Sequence, residues 1–560
     1  MTALPGPAGE AVAYPVLDDG QLERLRRYGT TRRVAAGEIL YSPASDSNDL
    51  LAVLSGEVVV SNDALVPSVE LARHGPGHFA GELNMLTGQR PFLTARAATD
   101  GRVLALTPAQ VREVLARETD IADILLRALI ARRRRHVSGA TPGAAVEVIG
   151  TSHSRAALLL RRFLNRNTIA YEWVDADQTE QAAAILGGVG ATTDDLPVVI
   201  TPTRVLMNAD PAALAAVLGL GRYPDHPDRY DVVIVGAGPA GLAAAVYGAS
   251  EGLDVAVLDA FAPGGQAGSS TRIENYLGFT DGISGTELTT RATIQAQRFG
   301  ASLASPCRVA TVARAADGNF SVGLADGTPV AARTVVAATG ALVRRLPLPN
   351  WGRLEGAGIY YAATELEAGS SPSHVFVLGG GNSAGQAALY LARRCPRVTI
   401  VVNQDSLTAS MSQYLINRVL ASDRIDVSAS SEVVAVEGGE HLESIAVRNM
   451  ATGAVTQMAA SGLYFFIGAR PASGWLPAEV ARDEEGFVLT DVAVPASPAT
   501  ARARLPYETT VDGLFAAGDV RAGSMKRVAA AVGEGSSVIQ SVHQYLTRFR
   551  DVDPGDNNGQ

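Results

Sequence analysis

The chain has 560 residues, of which 47% are hydrophobic and 19% are charged, and its formal net charge is -10 with an isoelectric point near 5.4. This length leaves room for about three or four domains, and the excess of acids argues against a nucleic-acid partner and against a basic face for a membrane. No apolar stretch is long enough to span a bilayer, and residues 1–20 lack the basic start and apolar core of a secretion signal, so we expect a cytoplasmic protein.

Residues 1–136 are predicted to form a small antiparallel β-barrel that ends in a helix. The predicted strands are short aliphatic runs separated by glycines, namely Glu38–Tyr41, Leu50–Leu54, Glu57–Val60 and Arg102–Leu106. One continuous helix is predicted from Pro108 to Arg135. Its last four residues, Arg132–Arg135, are expected to be solvated, because cations at a helix C-terminus are favoured by the helix dipole. The sequence after it does not predict a helix-turn-helix.

The segment from Phe79 to Pro91 resembles the phosphate cassette of cyclic-nucleotide-binding domains. The resemblance implies that Glu82 would bond a ribose 2′-hydroxyl and that an arginine near the loop's end would pair with the cyclic phosphate. With Thr94–Ala97 aligned, however, Pro91 falls at the phosphate position and Arg90 lies one residue early. A structural or protein-binding barrel is therefore favoured over a working sensor, and a cyclic nucleotide is not the favoured ligand.

Residues 146–221 follow a linker rich in serine, glycine and proline and are predicted to form a small α/β module. A strand, a helix at Arg155–Arg166 and a second strand precede the strand Leu196–Ile200, which begins with an X-Pro pair. This pattern resembles glutaredoxin, and the resemblance aligns Thr151–Ser154 with the redox Cys-Pro-Tyr-Cys and Pro197 with a cis-proline. Serines cannot exchange disulfides, since that reaction needs a thiolate. His153 is interpreted as a solvated loop side chain.

A Gly-rich turn opens the second half of the chain. The strand Asp231–Val235 runs into Gly236, Gly238 and Gly241 and then into an alanine-rich helix. The three glycines allow a tight turn, a close approach of backbone to a pyrophosphate, and the packing of helix on strand, respectively. Asp259 ends the next strand and can accept hydrogen bonds from ribose hydroxyls. The order of strand, glycines, helix, strand and acid predicts a dinucleotide site.

A second turn of the same kind follows the strand Val375–Leu378, with Gly379, Gly381 and Ala384 in the three roles. Asn382 and Ser383 lie between them, at the predicted start of a helix. Two such units predict two dinucleotides. A Rossmann unit with no nucleotide remains the alternative, more so for the second turn, because its following strand is poor in phosphate ligands.

From Tyr230 to Leu546 the chain resembles the low-molecular-weight thioredoxin reductases. Further matches are Gly264–Gln266 with Glu274–Asn275, Ala338–Gly340, and Gly513–Asp519. The resemblance implies that FAD is bound, with Asp519 on the ribityl chain and Arg527–Ala529 beside the isoalloxazine. The implied FAD contacts beyond Gly236, Gly238, Gly241 and Asp259 are Pro239, Ala240, Gly265, Gln266, Asn275, Ala338, Thr339, Gly340, Gly518, Asp519, Arg527, Val528 and Ala529.

The redox dithiol of that family is missing. Its two cysteine positions are occupied by Ala362 and Glu365, so the catalytic residues are unknown. Glu365 is interpreted as a surface charge, with a proton donor or acceptor near the flavin as the alternative. Cys307 and Cys395 are isolated and expected to be passive, and no Cys/His cluster has metal-ligand spacing.

The nicotinamide donor is less defined than the flavin. Where the resemblance places an arginine cluster for the 2′-phosphate of NADPH, this chain has Val402–Asp405 and Thr408. NADPH, NADH, another donor or no nicotinamide all stay open. Electrons would leave for an unidentified acceptor, such as an external disulfide, a quinone, a redox protein or oxygen. The alternative function is a catalytically decayed flavin-binding sensor or scaffold whose N-terminal modules bind partners.

The expected fold is therefore a multidomain one: a cyclic-nucleotide-binding-like β-barrel, a thioredoxin-like α/β module and two Rossmann-like α/β dinucleotide-binding domains. An FAD domain is predicted at 230–348 and 476–550, with an inserted NAD(P)-binding-like domain at 349–475. By resemblance, the protein would be a homodimer.

Overall fold

The computed structural model describes residues 11–45, 48–63, 68–81, 91–137, 146–177, 180–221, 229–368, 373–494 and 502–550. Within these ranges, no helix combines the length and the apolar character that crossing a membrane would require. Elements are numbered below in chain order.

The first part of the chain is a β-barrel built from two four-stranded antiparallel sheets, as predicted. The strands are β1 (Thr30–Val34), β2 (Ile39–Tyr41), β3 (Leu50–Ser55), β4 (Val58–Asn62), β5 (Val69–His74), β6 (Phe79–Ala80), β7 (Thr94–Ala97) and β8 (Gly101–Leu106). One sheet has the order β1-β8-β3-β6 and the other β2-β7-β4-β5. Tyr41, Leu51 and Val53 are fully buried in the barrel core. Alternating inward residues on short strands therefore produce the predicted barrel.

The helical part of this unit differs from the prediction. Helix α1 (Asp19–Leu25) precedes the barrel, and two helices, α2 (Pro108–Arg117) and α3 (Thr119–Val137), replace the predicted single one. Glu118 breaks the helix with φ -112° and ψ 79°. Its carboxylate accepts hydrogen bonds from Arg24 and Tyr28, both at 3.0 Å. These partners lie 94 and 90 positions away in the chain, so local pattern could not reveal the break.

The expectation that the arginine run is solvated is wrong for Arg132. Its guanidinium donates hydrogen bonds to the carbonyls of Ala13 (2.8 Å), Phe79 (3.0 Å) and Gly81 (3.3 Å). It also lies over the rings of Tyr14 and Phe79, and burial lowers its pKa to about 10. Arg132 therefore ties α3 to the strand that leads into the cassette.

Residues 146–221 form a four-stranded sheet flanked by helices. The elements are β9 (Glu147–Gly150), α4 (Arg155–Arg166), β10 (Glu172–Asp175), α5 (Glu180–Gly188), β11 (Val198–Ile200), β12 (Val205–Leu206) and α6 (Pro211–Val217). The sheet order is β10-β9-β11-β12, with β9 and β10 parallel and β11 antiparallel to both of its neighbours. The Leu196–Pro197 peptide is cis. Helix α4 has the predicted bounds, and the assignment to glutaredoxin stays a prediction.

The third unit is a parallel sheet with an antiparallel extension. It contains β13 (Tyr230–Val235), α7 (Pro239–Ser250), β14 (Val255–Leu258), α8 (Gly285–Arg298), β15 (Ser302–Ala304), β16 (Val309–Arg314), β17 (Phe320–Leu324), β18 (Pro329–Ala337) and β19 (Ala341–Val343). The order is β15-β14-β13-β18-β17-β16, and β13 is parallel to both β14 and β18. A buried strand of β-branched residues between two parallel neighbours is typical of a doubly wound fold.

A second parallel sheet is inserted after β19. Its unit contains α9 (Trp351–Leu354), β20 (Ile359–Tyr360), β21 (His374–Leu378), α10 (Asn382–Leu391), β22 (Arg397–Val401), α11 (Gln413–Leu420), β23 (Ile425–Ser428), β24 (Ser431–Glu437), β25 (Ser444–Asn449), β26 (Val455–Ala459), β27 (Gly462–Phe465) and β28 (Ala469–Pro471). The parallel order is β20-β27-β21-β22-β23, and β24-β25-β26 form a separate antiparallel sheet. The chain leaves and returns through the antiparallel pair of β19 and β28. After the return, β29 (Leu514–Ala516) pairs with β18 and α12 (Val528–Arg550) packs on α7.

The two N-terminal units are packed against the rest of the chain. Phe92, which directly follows Pro91, is 9% exposed and lies in the hydrophobic core of residues 146–221. The same core includes Phe261 of the third unit. The predicted cassette residues Glu82 and Arg90 lie outside the described residues.

We expect cyclic AMP and cyclic GMP to bind weakly or not at all, because Pro91 offers no donor to a phosphate and Phe92 is buried in the neighbouring module. Isothermal titration of the full-length protein measures this, with Glu82→Ala as the test variant and the exposed Glu57→Ala as its control. A dissociation constant in the low micromolar range, lost only in Glu82→Ala, would contradict the expectation.

Candidate functional site

The first Gly-rich turn has the geometry that a pyrophosphate requires. Gly236 has φ +106°, and a Cβ there would lie 2.4 Å from the Ala338 carbonyl oxygen. A Cβ on Gly241 would lie 1.8 Å from the Gly236 oxygen, whereas a Cβ on Gly238 would meet its nearest described atom, Gly265 Cα, only at 3.7 Å. The first and third glycines are thus fixed by packing. Gly238, at the N-terminus of α7, could carry a Cβ in ordinary van der Waals contact with Gly265.

Asp259 lies directly after β14, as predicted, but backbone amides already donate to most of the acceptor positions of its carboxylate. Its Oδ2 accepts a hydrogen bond from the amide of Ala237 at 2.8 Å. Its Oδ1 accepts from the amides of Phe261 (3.0 Å) and Ala262 (2.9 Å). A carboxylate can accept about four hydrogen bonds, so roughly one acceptor position remains for a ribose hydroxyl.

The loop of residues 261–266, called here the glycine loop, faces the first turn. The Gly264 amide donates to the Ala237 carbonyl at 2.7 Å, and a Cβ on Gly265 would lie 2.8 Å from Gly238 Cα. Both residues have positive φ, +108° and +54°. Gln266 donates a side-chain hydrogen bond to the Ala341 carbonyl. Backbone therefore meets backbone across the opening of the turn.

Two further predicted segments reach the same place. A Cβ on Gly518 would lie 2.8 Å from Ala240 Cβ, and the Gly518 amide donates to Glu534 at 2.7 Å. Burial raises the pKa of the neighbouring Asp519, while Lys526 lowers it. On the other side, Thr339 donates to the Ala472 carbonyl at 2.7 Å.

The remaining predicted FAD contacts differ in how enclosed they are. Arg527 and Ala529 are exposed at the start of α12, and Val528 is half-buried. Asn275 is exposed, and the adjacent Glu274 forms an ion pair with Arg418 of α11 at 2.7 Å. The structure thus brings Gly236–Gly241, Gly265, Ala338 and Gly518 into contact. The roles of all these residues in binding FAD stay predictions.

The second Gly-rich turn repeats the geometry of the first. Gly379 has φ +134°, and a Cβ there would lie 2.6 Å from the Phe466 carbonyl oxygen. Ala384 is fully buried, and a Cβ added at Gly381 would meet no described atom within 4 Å. Asn382 accepts a hydrogen bond from the Ser412 amide at 2.7 Å, and Ser383 lies beside it in the first turn of α10. The space beside Gly381, at the N-terminus of α10, is therefore open.

The end of β22 carries no cation at the positions considered for a 2′-phosphate. Asn403, Gln404, Asp405 and Thr408 are all exposed. Asp405 accepts a hydrogen bond from Ser430 at 2.8 Å. An acid at this position would repel a phosphate rather than bind it.

The segment of residues 362–365, predicted to stand where relatives have a dithiol, is tied to a buried carboxylate that the sequence analysis missed. Ala362 and Ala363 are 9% and 7% exposed, whereas the Glu365 side chain is 88% exposed and lies 3.4 Å from Arg394. Glu367 is the buried acid here. Its carboxylate accepts hydrogen bonds from the amide and the hydroxyl of Thr364. It also forms an ion pair with Arg162, whose Nε lies 2.7 Å away. Because Arg162 is 205 positions away, no local signal marks the pair.

The two cysteines lie in different hydrophobic cores and are poor nucleophiles. Cys307 is 7% exposed and Cys395 is fully buried. Burial raises the pKa of each thiol to about 11. Neither has an appreciable thiolate population near neutral pH.

Comparisons with known proteins agree with this geometry. A family model described as pyridine nucleotide-disulphide oxidoreductase matches residues 230–535, and one described as cyclic nucleotide-binding domain matches residues 31–118. A thioredoxin reductase of Treponema pallidum is 34% identical over 317 residues, covering 57% of this chain and 97% of the relative. One from Streptomyces clavuligerus is 34% identical over 325 residues, covering 58% and 96%. The solved thioredoxin reductase of Lactococcus lactis in its FR conformation superimposes with a TM-score of 0.52 at 29% identity, covering 57% of this chain and 100% of that one.

We expect Gly238→Val to fold but to lose FAD, because its Cβ would meet the nearest backbone atom only at 3.7 Å while its branched side chain would block the approach of the pyrophosphate. Gly241→Ala should instead lower stability, because its Cβ would lie 1.8 Å from the Gly236 oxygen. Flavin absorbance per chain and circular dichroism separate the two outcomes. Recovery of about one FAD per chain from Gly238→Val would contradict the assignment.

Proposed function

Because this chain belongs to the pyridine nucleotide-disulphide oxidoreductase family, we propose that it is an FAD-dependent oxidoreductase of thioredoxin-reductase type that passes electrons from a nicotinamide to an external acceptor without an internal dithiol. The observation that carries the proposal is the coexistence of two open Gly-rich turns with two isolated, buried cysteines. Each turn would hold one dinucleotide, and the two cysteines lie in separate hydrophobic cores, so they cannot form a dithiol that accepts electrons from the flavin.

The residues present fit FAD. Free amides at the start of α7 and the positive end of its dipole would hold the pyrophosphate, which approaches at Gly238. Asp259 keeps about one acceptor position for the adenosine ribose. Asp519, which is half-buried beside Gly518, would bond the ribityl chain.

When bound, FAD supplies two-electron chemistry between a nicotinamide and an acceptor. The protein's part is to orient the two nucleotides and to limit access of water. Backbone from the glycine loop and from Gly518 encloses the first turn, so little of the site is formed by mobile side chains. Gly381, at the N-terminus of α10, would orient the second pyrophosphate in the same way.

The acceptor is external because Ala362 and Glu365 cannot be oxidised to a disulfide. An external disulfide, a quinone, a redox protein or oxygen would satisfy the electron balance. The Glu365 side chain is exposed beside Arg394, which favours a surface charge over a proton carrier at the flavin.

Anaerobic rapid mixing with NADH and with NADPH tests the function. Flavin absorbance should fall within the turnover time of an ordinary oxidoreductase, roughly a second or less. Flavin that is bound but is reduced by neither donor would overturn the proposal in favour of a flavin-binding scaffold.

Discrimination in favour of NADPH is expected to be weak, because Asn403, Gln404 and Thr408 offer no positive charge and Asp405 is acidic. The measurement is kcat/KM for flavin reduction by each donor. Asn403→Arg with Thr408→Arg should shift the ratio toward NADPH by roughly tenfold or more, and Thr328→Arg, on the exposed turn between β17 and β18 of the third unit, serves as a control. A hundredfold preference for NADPH in the wild type would show that other residues hold its phosphate.

Reduction of thioredoxin or of a small aromatic disulfide by a dithiol relay is expected to fail. The buried thiols, with pKa values of about 11, should contribute nothing, so Cys307→Ser with Cys395→Ser should leave every flavin oxidation and reduction rate unchanged. Stopped-flow rates at matched flavin content compare the variant with the wild type. Disulfide turnover by the wild type that disappears in the double variant would disprove the non-dithiol mechanism.

A further inference from the structure

Helix α4 carries three arginines that reach two different units of the chain. Arg155, Arg162 and Arg166 are spaced seven and then four residues apart, which places them on one face of the helix. The first two contact the inserted unit, and the third contacts the glycine loop. One rigid helix of twelve residues therefore spans the junction between them.

The contacts with the inserted unit involve two buried carboxylates. Arg162 Nε lies 2.7 Å from Glu367, whose side chain is 1% exposed. Arg155 lies 3.5 Å from Glu355, whose side chain is 3% exposed and which also pairs with Arg345 at 2.8 Å. Removing the partner of a buried carboxylate is costly, so undocking of the helix would be opposed at Glu367, whereas Glu355 would keep its ion pair with Arg345.

The start of the helix is packed against the same unit. A Cβ on Gly356 would lie 2.8 Å from Arg155 Cα, which indicates backbone contact. The rings of His153 and His441 stack with centroids 5.2 Å apart. The segment that aligns with the redox motif of glutaredoxin thus lies at an intramolecular interface.

The contact with the glycine loop is made by Arg166. Its guanidinium donates hydrogen bonds to the carbonyls of Ala262 (2.8 Å) and Pro263 (3.2 Å), directly before Gly264. Phe163, one turn earlier, packs edge-on against Phe261 at 5.7 Å. Burial lowers the pKa of Arg166, whereas Asp259 raises it. The loop that faces Gly238 is therefore held from outside by this helix.

We propose that the module of residues 146–221 is a permanently docked brace of the oxidoreductase site, in which Arg166 is a positioning residue for the glycine loop and Arg155 and Arg162 fix the same helix to the inserted unit. The inference rests on the proposed flavin site. The module would then bind to the rest of its own chain and would not act as a mobile carrier of electrons.

The first test measures FAD affinity of refilled apoprotein. Arg166→Met should raise the dissociation constant about tenfold or more, since two hydrogen bonds from a charged donor are lost, and Arg166→Lys should recover part of the affinity. Arg161→Met is the matched control, because Arg161 stacks on Trp173 inside the module at 4.3 Å. Circular dichroism verifies that each variant is folded, and flavin fluorescence reports the environment of the bound cofactor.

The outcomes separate the two proposals. A wild type that binds no FAD contradicts the flavin site itself. A wild type that binds FAD, together with an Arg166→Met protein of equal affinity and unchanged flavin fluorescence, overturns only the brace.

The second test measures docking by the distance between two spin labels, at Asp194→Cys in the module and Glu365→Cys in the inserted unit. Both positions are exposed, whereas the native thiols are buried and should not react. One narrow distance population is expected, whether the flavin is oxidised or reduced. Arg162→Met and, independently, Glu367→Gln should broaden it, while Arg161→Met should not. A broad or divided population in the wild type would contradict permanent docking.

Discussion

The structure depends on a steric constraint at the N-terminus of α7, where four segments distant in sequence meet with almost no side chain between them. The first turn, the glycine loop, the Ala338 segment and Gly518 all approach within distances that a single added Cβ would violate. Gly535 of α12 lies equally close, since its Cβ would be 2.0 Å from the Ala240 carbonyl. Glycine at these positions permits the close approach that holds two parts of the chain, before and after the inserted unit, around one cleft.

The parts of this cleft that follow local rules could be predicted from the sequence. The turns of Gly236–Gly241 and Gly379–Ala384 were identifiable because strand, glycine spacing and helix occur in a fixed order. Helix α4 was also predicted with its observed bounds, since its apolar residues recur at helical spacing and Ser154 caps it. Four of the eight barrel strands were predicted within one or two residues, because short aliphatic runs separated by glycines mark them.

What could not be predicted depends on partners far away in the chain. The break at Glu118 follows from Arg24 and Tyr28, and the inward turn of Arg132 follows from three carbonyls in other segments. Glu367 belongs to no sequence motif, so its burial could not be predicted. Its ion pair with Arg162 explains that burial. Residues 362–365 differ from the family pattern in lacking cysteines. Their structural role depends on Glu367, two residues beyond Glu365, which bonds Thr364 and Arg162.

The absence of a dithiol and the docking of the module both exclude a thiol relay. A relay needs accessible thiolates that move between flavin and partner, and this chain has buried thiols and a module fixed by buried ion pairs. The central claim of the proposed function is therefore that a bound flavin is the only redox centre of the protein. An anaerobic dithionite titration tests it most directly: the account predicts that full reduction takes about two electrons per FAD, the capacity of the flavin alone. An uptake of about four electrons, as expected for a flavin with a disulfide, would contradict it.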